Sequence, residues 1–239
     1  MEEKLRGIVI SSVNYGESDK ILGIFTLEKG VVSSKIKGVK KAGAKMKFAS
    51  EPFCFAEFIF SEKVGKRTVI GASLIDSFYP VRESIEKFFA GGTALEYTKK
   101  FLYEGIKNQE YFLLLIEYLK NLAYGEGNIA EELASFLMNA LSFSGYGITT
   151  SNCSYCNKEI VGRVFFDYML GSFCCFDCPH ENLREISPVT LKGVEKLLKK
   201  ESLTGEESLK TLKLIDFYLQ NKTEVKLKSL LEFISVCDL

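Results

Sequence analysis

The chain has 239 residues, which is more than one small module needs and fits two domains, or three if a metal-binding unit counts separately. Hydrophobic residues at 46% and charged residues at 26% describe an ordinary globular protein, and Lys+Arg balance Asp+Glu at 31 each. The longest apolar stretch, Tyr111 to Leu119, is interrupted by Glu117 and is too short to cross a bilayer, which excludes a membrane-spanning class.

Residues 5–79 are predicted to form short strands separated by turns. The turns are Gly16-Glu17-Ser18-Asp19, Lys29-Gly30 and the hairpin Val64-Gly65-Lys66. The predicted strands are Leu5 to Tyr15, Lys20 to Leu27, Val31 to Lys37, Phe53 to Phe60 and Thr68 to Ile75. Short strands at this spacing suggest a small closed barrel of the five-stranded OB type, which binds nucleic acid on one face.

The N-terminal third is the basic part of the chain. Residues 1–80 contain 13 Lys+Arg against 9 Asp+Glu. A dense cluster within it has no acidic neighbour, and its members are Lys35, Lys37, Lys40, Lys41, Lys45 and Lys47. Such a cluster attracts a polyanion, because each phosphate that it neutralises releases a counterion. The alternative is an ordinary solvated loop.

Aromatic residues in this region have two possible roles. Single-strand binders stack bases on aromatic side chains. The candidates are Phe25, Phe48, Phe53, Phe55, Phe58 and Phe60. A barrel must also fill its interior, so we expect most of these rings in the core. The acidic pair in Gly16-Glu17-Ser18-Asp19 has no matching His or Cys motif nearby and is predicted to form a turn, with Asp19 orienting Lys20.

Helical periodicity begins after Pro80. The predicted helices are Val81 to Ile106 with a possible break at Gly91-Gly92, Asn108 to Tyr124, Asn128 to Phe143, a helix opened by Ser187-Pro188 and running to about Lys200, Glu206 to Gln220, and Val225 to Val236. A cysteine-rich segment interrupts this helical domain. The predicted domains are 1–80 (OB-fold), 81–150 (first helical part), 151–182 (metal module) and 183–239 (second helical part).

The cysteine-rich segment carries two C-x-x-C pairs, Cys153/Cys156 and Cys175/Cys178, with eighteen residues between them. This spacing predicts a four-cysteine site for tetrahedral Zn²⁺. Four sulfur ligands leave no open position for water or substrate, so the metal is expected to be structural. Cys174 could replace Cys175, and His180 could replace Cys178.

Disulfides, a redox C-x-x-C and a site without metal are the alternatives at these cysteines. The chain opens on Met1-Glu2-Glu3-Lys4 with no export signal, so we expect a cytoplasmic protein with reduced thiols. A zinc deaminase would need an H-x-E motif, but the sole histidine, His180, follows the cysteines.

Several segments, in the same order, resemble the bacterial DNA repair protein RecO family. The matching segments are Tyr15 to Leu22 followed by Thr26 and Gly30, Lys37-Gly38-Val39-Lys40-Lys41, Pro52-Phe53, the cysteine quartet with Gly171 ahead of its second pair, and Leu227-Lys228-Ser229-Leu230 with Phe233. The resemblance implies an N-terminal OB-fold, an α-helical domain and a zinc finger.

The resemblance also implies a function without catalysis. Members bind single- and double-stranded DNA, anneal complementary strands and assist recombinase loading with the partner RecR. They dock the acidic C-terminal tail of single-stranded DNA-binding protein. A nucleoid-associated location would follow. For that tail, Lys99, Lys100, Lys107, Lys120, Phe101, Tyr103 and Tyr111 are candidates. The competing hypothesis is a zinc-knuckle adaptor that binds proteins and no DNA.

Overall fold

The computed structural model describes residues 2–150, 152–178 and 181–238. The chain divides into two compact units between Gly125 and Glu126. The first two helices after the barrel therefore belong to the same unit as the barrel.

The first unit contains a closed barrel of five strands. The strands are β1 (Glu2–Tyr15), β2 (Asp19–Thr26), β3 (Gly30–Ile36), β4 (Phe55–Lys63) and β5 (Lys66–Asp76). Their order is β1-β2-β3-β5-β4, closed by pairing of β4 with β1. β1 pairs with both neighbours because the first half of this long strand runs along β4 and its second half along β2, with an irregularity between Val9 and Ser11. The predicted OB-type barrel is confirmed.

The barrel core is filled by alternating inward side chains of the strands and by three residues, Val39, Ala49 and Cys54, from the segment between β3 and β4. Its buried members are Leu5, Val9, Leu22, Ile24, Val32, Ile36, Val39, Ala49, Cys54, Ala56, Phe58, Phe60 and Val69. Four of the six phenylalanines that were candidates for base stacking, Phe25, Phe53, Phe58 and Phe60, are at most 2% exposed. Phe58 and Phe60 belong to the barrel core, whereas Phe25 and Phe53 are buried against aromatic residues that follow the barrel. Most of the six rings are therefore buried, as expected.

β3 and β5 are parallel neighbours over only two residue pairs, Lys35↔Thr68 and Ile36↔Val69. The earlier part of β3 is covered instead by the segment 102–107. Gly105 donates its N–H to the Val31 carbonyl at 2.9 Å, and a Cβ on Gly30 would come within 2.0 Å of the Ile106 carbonyl oxygen. Only glycine fits there, at φ +69°.

Two helices complete the first unit, α1 (Ile85–Phe101) and α2 (Gln109–Tyr124). The Ser84 and Asn108 side chains accept the N–H of Lys87 and Tyr111, which caps the two helix starts. The predicted break at Gly91-Gly92 is wrong, because α1 is continuous there. A Cβ on Gly91 would lie 2.9 Å from both Phe53 and Val81, so this glycine provides close packing and not a helix end.

The second unit is helical with a small sheet. Its elements are α3 (Ile129–Phe143), β6 (Val164–Asp167), β7 (Ser172–Cys175), β8 (Leu183–Ile186), α4 (Pro188–Lys199), α5 (Gly205–Thr223) and α6 (Lys228–Cys237). The sheet order is β7-β6-β8, all antiparallel. α5 packs against α3, α4 and α6, and its Tyr218 ring meets Phe166 of β6 edge to face at 5.5 Å. Among the described residues, no helix has the length and apolar character required to span a membrane.

Candidate nucleic-acid interface and metal centre

The loop that follows β3 carries most of the lysine cluster. Five of the six lysines are exposed there: Lys37, Lys40, Lys41, Lys45 and Lys47. None of these five makes an ion pair with a carboxylate in the described part of the chain. Their charge is directed at solvent.

The loop is fixed to the barrel from two sides. Beneath it, Val39 is 2% exposed and belongs to the barrel core, and Met46 and Phe48 pack against that core. At its start, the turn between β1 and β2 holds the backbone, because the Gly38 N–H donates to the Asp19 carboxylate at 2.8 Å and the Lys40 N–H donates to the Ser18 carbonyl at 3.0 Å. The lysines therefore project from an anchored backbone.

Lys35, the sixth member of the cluster, differs from the rest. Its Nζ lies 2.8 Å from the Asp19 carboxylate and 4.6 Å from the centre of the Tyr15 ring. The ion pair with Lys35, followed by the Gly38 N–H, lowers the pKa of Asp19 to about 2. Asp19 was expected to orient Lys20, but Lys20 pairs with Glu51 at 3.1 Å and the partner of Asp19 is Lys35.

A wide groove of about 780 Å³ lies beside the start of the loop. Its basic lining residues are Lys35, Lys37, Lys63, Lys66 and Arg67, and its one acidic lining residue is Glu104. The exposed ring of Tyr15 lines the same groove. The groove is thus positively charged and offers one aromatic surface.

Sequence reasoning missed the basic residues of the β4–β5 hairpin. Lys63, Lys66 and Arg67 flank the Val64-Gly65 turn, and strand closure brings them to the groove that Lys35 also lines. The signal was present in the sequence as three basic residues around a hairpin turn, but their proximity to Lys35 depends on the β3–β5 pairing.

The two C-x-x-C pairs come together in the second unit. One ligand atom from each of Cys153, Cys156, Cys175 and Cys178 lies within 4.8 Å of the others, and this is the one such group among the residues that the structure describes. The Cys156 and Cys175 sulfurs are 3.7 Å apart. Four sulfurs at a Zn–S distance of ~2.3 Å from a tetrahedral ion would be about 3.8 Å apart, so the soft donor set and its spacing fit Zn²⁺.

Local hydrogen bonds build the two cysteine turns. Asn157 adopts φ +58° after the first pair, its N–H donates to the Cys153 carbonyl at 2.9 Å, and the Cys178 N–H donates to the Cys175 carbonyl at 3.3 Å. The Ser154 N–H donates to the Phe173 carbonyl at 3.1 Å, which ties the first turn to the strand that carries the second pair.

Asp167 links the turns further. The Tyr155 hydroxyl, within the first pair, donates to the Asp167 carboxylate, and that carboxylate also accepts the N–H groups of Met169 and Leu170 at 2.8 and 3.0 Å. The hydrogen bond to Asp167 raises the pKa of Tyr155 to about 12. Asp167 is 1% exposed.

Cys174, the first alternative ligand, is not one of the four thiols that come together. Cys174 precedes Cys175 on β7, so its side chain points to the opposite face of the strand. Its thiol donates to the Phe165 carbonyl at 3.6 Å. His180, the other alternative, lies outside the described residues.

The electrostatics of the cluster favour a bound cation. Burial raises the pKa of Cys153, but backbone N–H groups of Cys156, Cys175 and Tyr155 outweigh burial and lower this pKa to about 6. Burial, and then the neighbouring thiols, raises the pKa of Cys178 to about 12. Four adjacent thiolates repel one another, and a divalent cation would remove that repulsion.

Of the residues expected to bind the acidic peptide tail, Tyr111 cannot do so because it is buried. Tyr111 is 0% exposed, and its hydroxyl lies 3.0 Å from that of Thr98. Phe101 stacks on Tyr97 at 4.3 Å, whereas Tyr103 is 76% exposed. Lys99, Lys107 and Lys120 are exposed.

Comparison with known proteins covers nearly the whole chain. Residues 1–78 match the family described as Recombination protein O N terminal, and residues 82–231 match Recombination protein O C terminal. A protein of Desulforamulus reducens named DNA repair protein RecO is 30% identical over 236 residues, 95% of this chain and 91% of that protein. A protein of the same name from Caldicellulosiruptor saccharolyticus is 30% identical over 195 residues, 82% of this chain and 78% of that protein.

Proposed function

Because this chain belongs to the recombination protein O family, we propose that it acts in recombinational DNA repair by binding DNA strands and annealing complementary ones. The observation that carries the proposal is the lysine loop. Five lysines without an ion-pair partner in the described chain project from an anchored loop on an OB-type barrel. Both single- and double-stranded DNA present the phosphates that such a surface attracts.

Lysine suits a protein that acts on any sequence. Its ammonium is a point charge on a flexible side chain, which contacts phosphates without distinguishing one base from another. Annealing makes and breaks no covalent bond; it requires two like-charged strands to approach, and neutralised phosphates lower that barrier. The proposed role therefore needs no catalytic residue.

We propose Zn²⁺ as the resident metal of the Cys153, Cys156, Cys175 and Cys178 cluster. With four sulfur ligands the ion would supply a structural cross-link and no Lewis-acid chemistry. The protein's own residues then do the positioning: the N–H groups directed at Cys153 hold a thiolate, and Asp167 fixes the turn between β6 and β7.

Family membership supports three further proposals about partners and location. The chain would work with RecR to load recombinase onto strands covered by single-stranded DNA-binding protein. It would bind the acidic tail of that protein through an apolar surface beside lysines, of which exposed Tyr103 with Lys107 is one candidate. Its place would be the cytoplasm, at the nucleoid.

The test is DNA binding of the full chain at increasing salt, measured by fluorescence anisotropy with a labelled single-stranded oligonucleotide. A variant with Lys40, Lys41, Lys45 and Lys47 changed to Gln is compared with a control that carries Lys158, Lys199, Lys200 and Lys228 changed to Gln. Both variants lose the same charge from exposed positions. We expect the loop variant to reduce the slope of log affinity against log salt by about 3, since each phosphate contact contributes about 0.7 for single strands.

Two results would contradict this proposal. Equal losses in the two variants would mean that net charge, and not this loop, attracts DNA. A wild-type protein that binds no DNA but still captures partner proteins would favour the zinc-knuckle adaptor. Annealing of a complementary oligonucleotide pair, with and without single-stranded DNA-binding protein, then tests the activity itself.

A further inference from the structure

Two buried polar atoms at the groove have no hydrogen-bond partner among the described residues. They are the Ser34 hydroxyl oxygen and the Arg67 Nε. Ser34 is 2% exposed, and both residues line the basic groove. A buried donor without a partner is costly, so two of them at one cavity favour a ligand that accepts hydrogen bonds.

The strand register brings these two residues side by side. Lys35 pairs with Thr68 and Ile36 with Val69, so Ser34 and Arg67 stand next in line, where β3 and β5 begin to diverge. Side chains alternate along a strand, and Ile36 and Val69 both face the core. Ser34 and Arg67 therefore share that inward side, at the mouth of the barrel. The guanidinium carbon of Arg67 lies 5.9 Å from the centre of the core Phe60 ring, in agreement with this placement.

The charges around this pair favour an anion. Lys35, Lys37, Lys63 and Lys66 line the same groove. Nη2 of Arg67 meets the half-exposed Glu62 at 3.3 Å, while the Nε–H of Arg67 has no acceptor among the described residues. Glu104 is the acidic group of the groove, and its carboxylate accepts the backbone N–H of Ser33 at 3.1 Å. The Glu104 carboxylate is therefore already hydrogen-bonded to the Ser33 backbone, and the five basic residues that line the groove outnumber it.

We propose that Ser34 and Arg67 form a phosphate subsite at the barrel mouth, which holds one backbone phosphate of a bound DNA strand. The Ser34 O–H and the Arg67 Nε–H donate to the phosphate oxygens, and the lysines of the groove neutralise the flanking phosphates. The inference rests on the proposed DNA-binding function and assigns it a specific contact inside the barrel mouth, beyond the exposed loop.

The experiment measures binding of a short fluorescein-labelled oligothymidylate across a salt series by the full-length protein. Arg67→Gln is compared with Arg6→Gln, a matched control on β1 that also pairs with one glutamate, Glu28, and does not line the groove. We expect Arg67→Gln to lower affinity about tenfold and the salt slope by about 0.7. Ser34→Ala removes a neutral donor, so it should lower affinity about threefold and leave the slope unchanged.

Arg67→Lys separates a binding role from a structural one. It keeps the charge and loses the planar fork, so the salt slope should return to the wild-type value while part of the affinity loss remains. Circular dichroism of each variant checks the fold. If Arg67→Gln does not fold, Arg67→Lys and Ser34→Ala decide the question. Losses no larger than those of Arg6→Gln overturn the subsite and leave the proposed function intact.

A second arm covers failure of the proposed function itself. If the wild-type protein binds no DNA, inorganic phosphate is titrated against chloride at equal ionic strength while the Arg67 Nε–H resonance is followed by NMR. A phosphate-dependent shift that Ser34→Ala weakens supports the subsite for a free phosphate. An unmoved resonance overturns it.

Discussion

The barrel and the cysteine module differ in the interactions that stabilise them. The barrel buries a cluster of thirteen apolar residues inside a closed ladder of five strands. Around the four clustered cysteines, the buried apolar cluster of described residues consists of Cys153, Cys174 and Cys175, with partly buried side chains at its border. The small sheet also buries Val164, Phe166 and Phe173, and Phe166 packs on Tyr218 of α5. The helices therefore support the sheet, and a metal ion bound by the four thiols would add a cross-link where the apolar cluster is small.

The difference also bears on the proposed function, because the groove belongs to the barrel and the four clustered thiols belong to the second unit. In the barrel the core side chains and the groove belong to the same strands, so packing positions the basic residues directly. In the cysteine module, a metal bound by the four thiols would add to what packing of the small sheet supplies. Removal of metal should therefore damage one region and leave the other folded.

The largest expected effect follows from removal of the proposed Zn²⁺. Cys175→Ser should abolish metal binding and unfold the residues near 145–190, since structural zinc supplies about 10–16 kcal/mol in small zinc modules. Cys174→Ser is the matched control on the same strand, and it should keep one metal per chain. Elemental analysis and hydrogen exchange measure the two outcomes.

A contrary result would be equally informative. If Cys175→Ser keeps its metal and Cys174→Ser loses it, the ligand assignment moves by one residue along β7. If chelation leaves hydrogen exchange near 145–190 unchanged, the small sheet is stable without an ion.

The second prediction concerns the barrel core. Phe58→Ala removes a ring that is 0% exposed and should lower the free energy of unfolding by about 3–5 kcal/mol, with metal content unchanged. Tyr103→Ala, at a side chain that is 76% exposed, serves as the control and should have little effect. A loss of metal in Phe58→Ala would show that the two regions are coupled. Chemical denaturation and elemental analysis give the answer.

The third prediction tests how the metal ligands are positioned. Asp167→Asn weakens the hydrogen bonds to Tyr155 and to the β6–β7 turn and should reduce metal affinity about 10–100-fold. Tyr155→Phe removes one of those bonds and keeps the turn, so its effect should be smaller. Competition with a chromophoric chelator measures both affinities, and equal losses would assign the effect to Tyr155 alone.

The smallest effect is expected at the anchor of the lysine loop. Asp19→Asn removes the Lys35 ion pair and weakens the acceptor for Gly38, so the Gly38 amide should exchange faster with solvent. Glu17→Gln, exposed in the same turn, should not change that rate. Equal rates in Asp19→Asn and wild type would mean that the Val39 packing alone holds the loop.

The pH dependence of this anchor follows from its lowered pKa. The Asp19 pKa of about 2 lies below the ordinary value of 3.8 for this group, so the folded state favours the carboxylate. Its contribution is complete above about 3.8 and is lost as the pH falls toward about 2. Exchange of the Gly38 amide in wild type should therefore approach that of Asp19→Asn only in this acid range.

Much of the fold could be predicted from the sequence, because residues typical of turns and helix starts stand at the ends of its elements. Ser187-Pro188 opens α4 as expected, and the cysteine spacing brings four thiols together. Gly91-Gly92 misled the prediction, since a glycine required for close packing and a glycine that ends a helix look the same in one sequence.

The groove could not be predicted, because it depends on long-range pairing. Arg67 and Ser34 are thirty-three positions apart and become neighbours only through the parallel contact of β3 with β5. In the same way, local chain proximity suggested Lys20 as the partner of Asp19, whereas the β2–β3 pairing places Lys35 beside it.

The segment 102–107 has a further consequence for how copies of this protein behave at high concentration. Where β3 separates from β5, its backbone groups would be free to pair with a strand of another molecule and begin aggregation. The Gly105 N–H and the Glu104 carboxylate occupy the Val31 carbonyl and the Ser33 N–H there, so that pairing is blocked. The negative charge of Glu104 at this position also disfavours edge-to-edge pairing with a strand of another molecule.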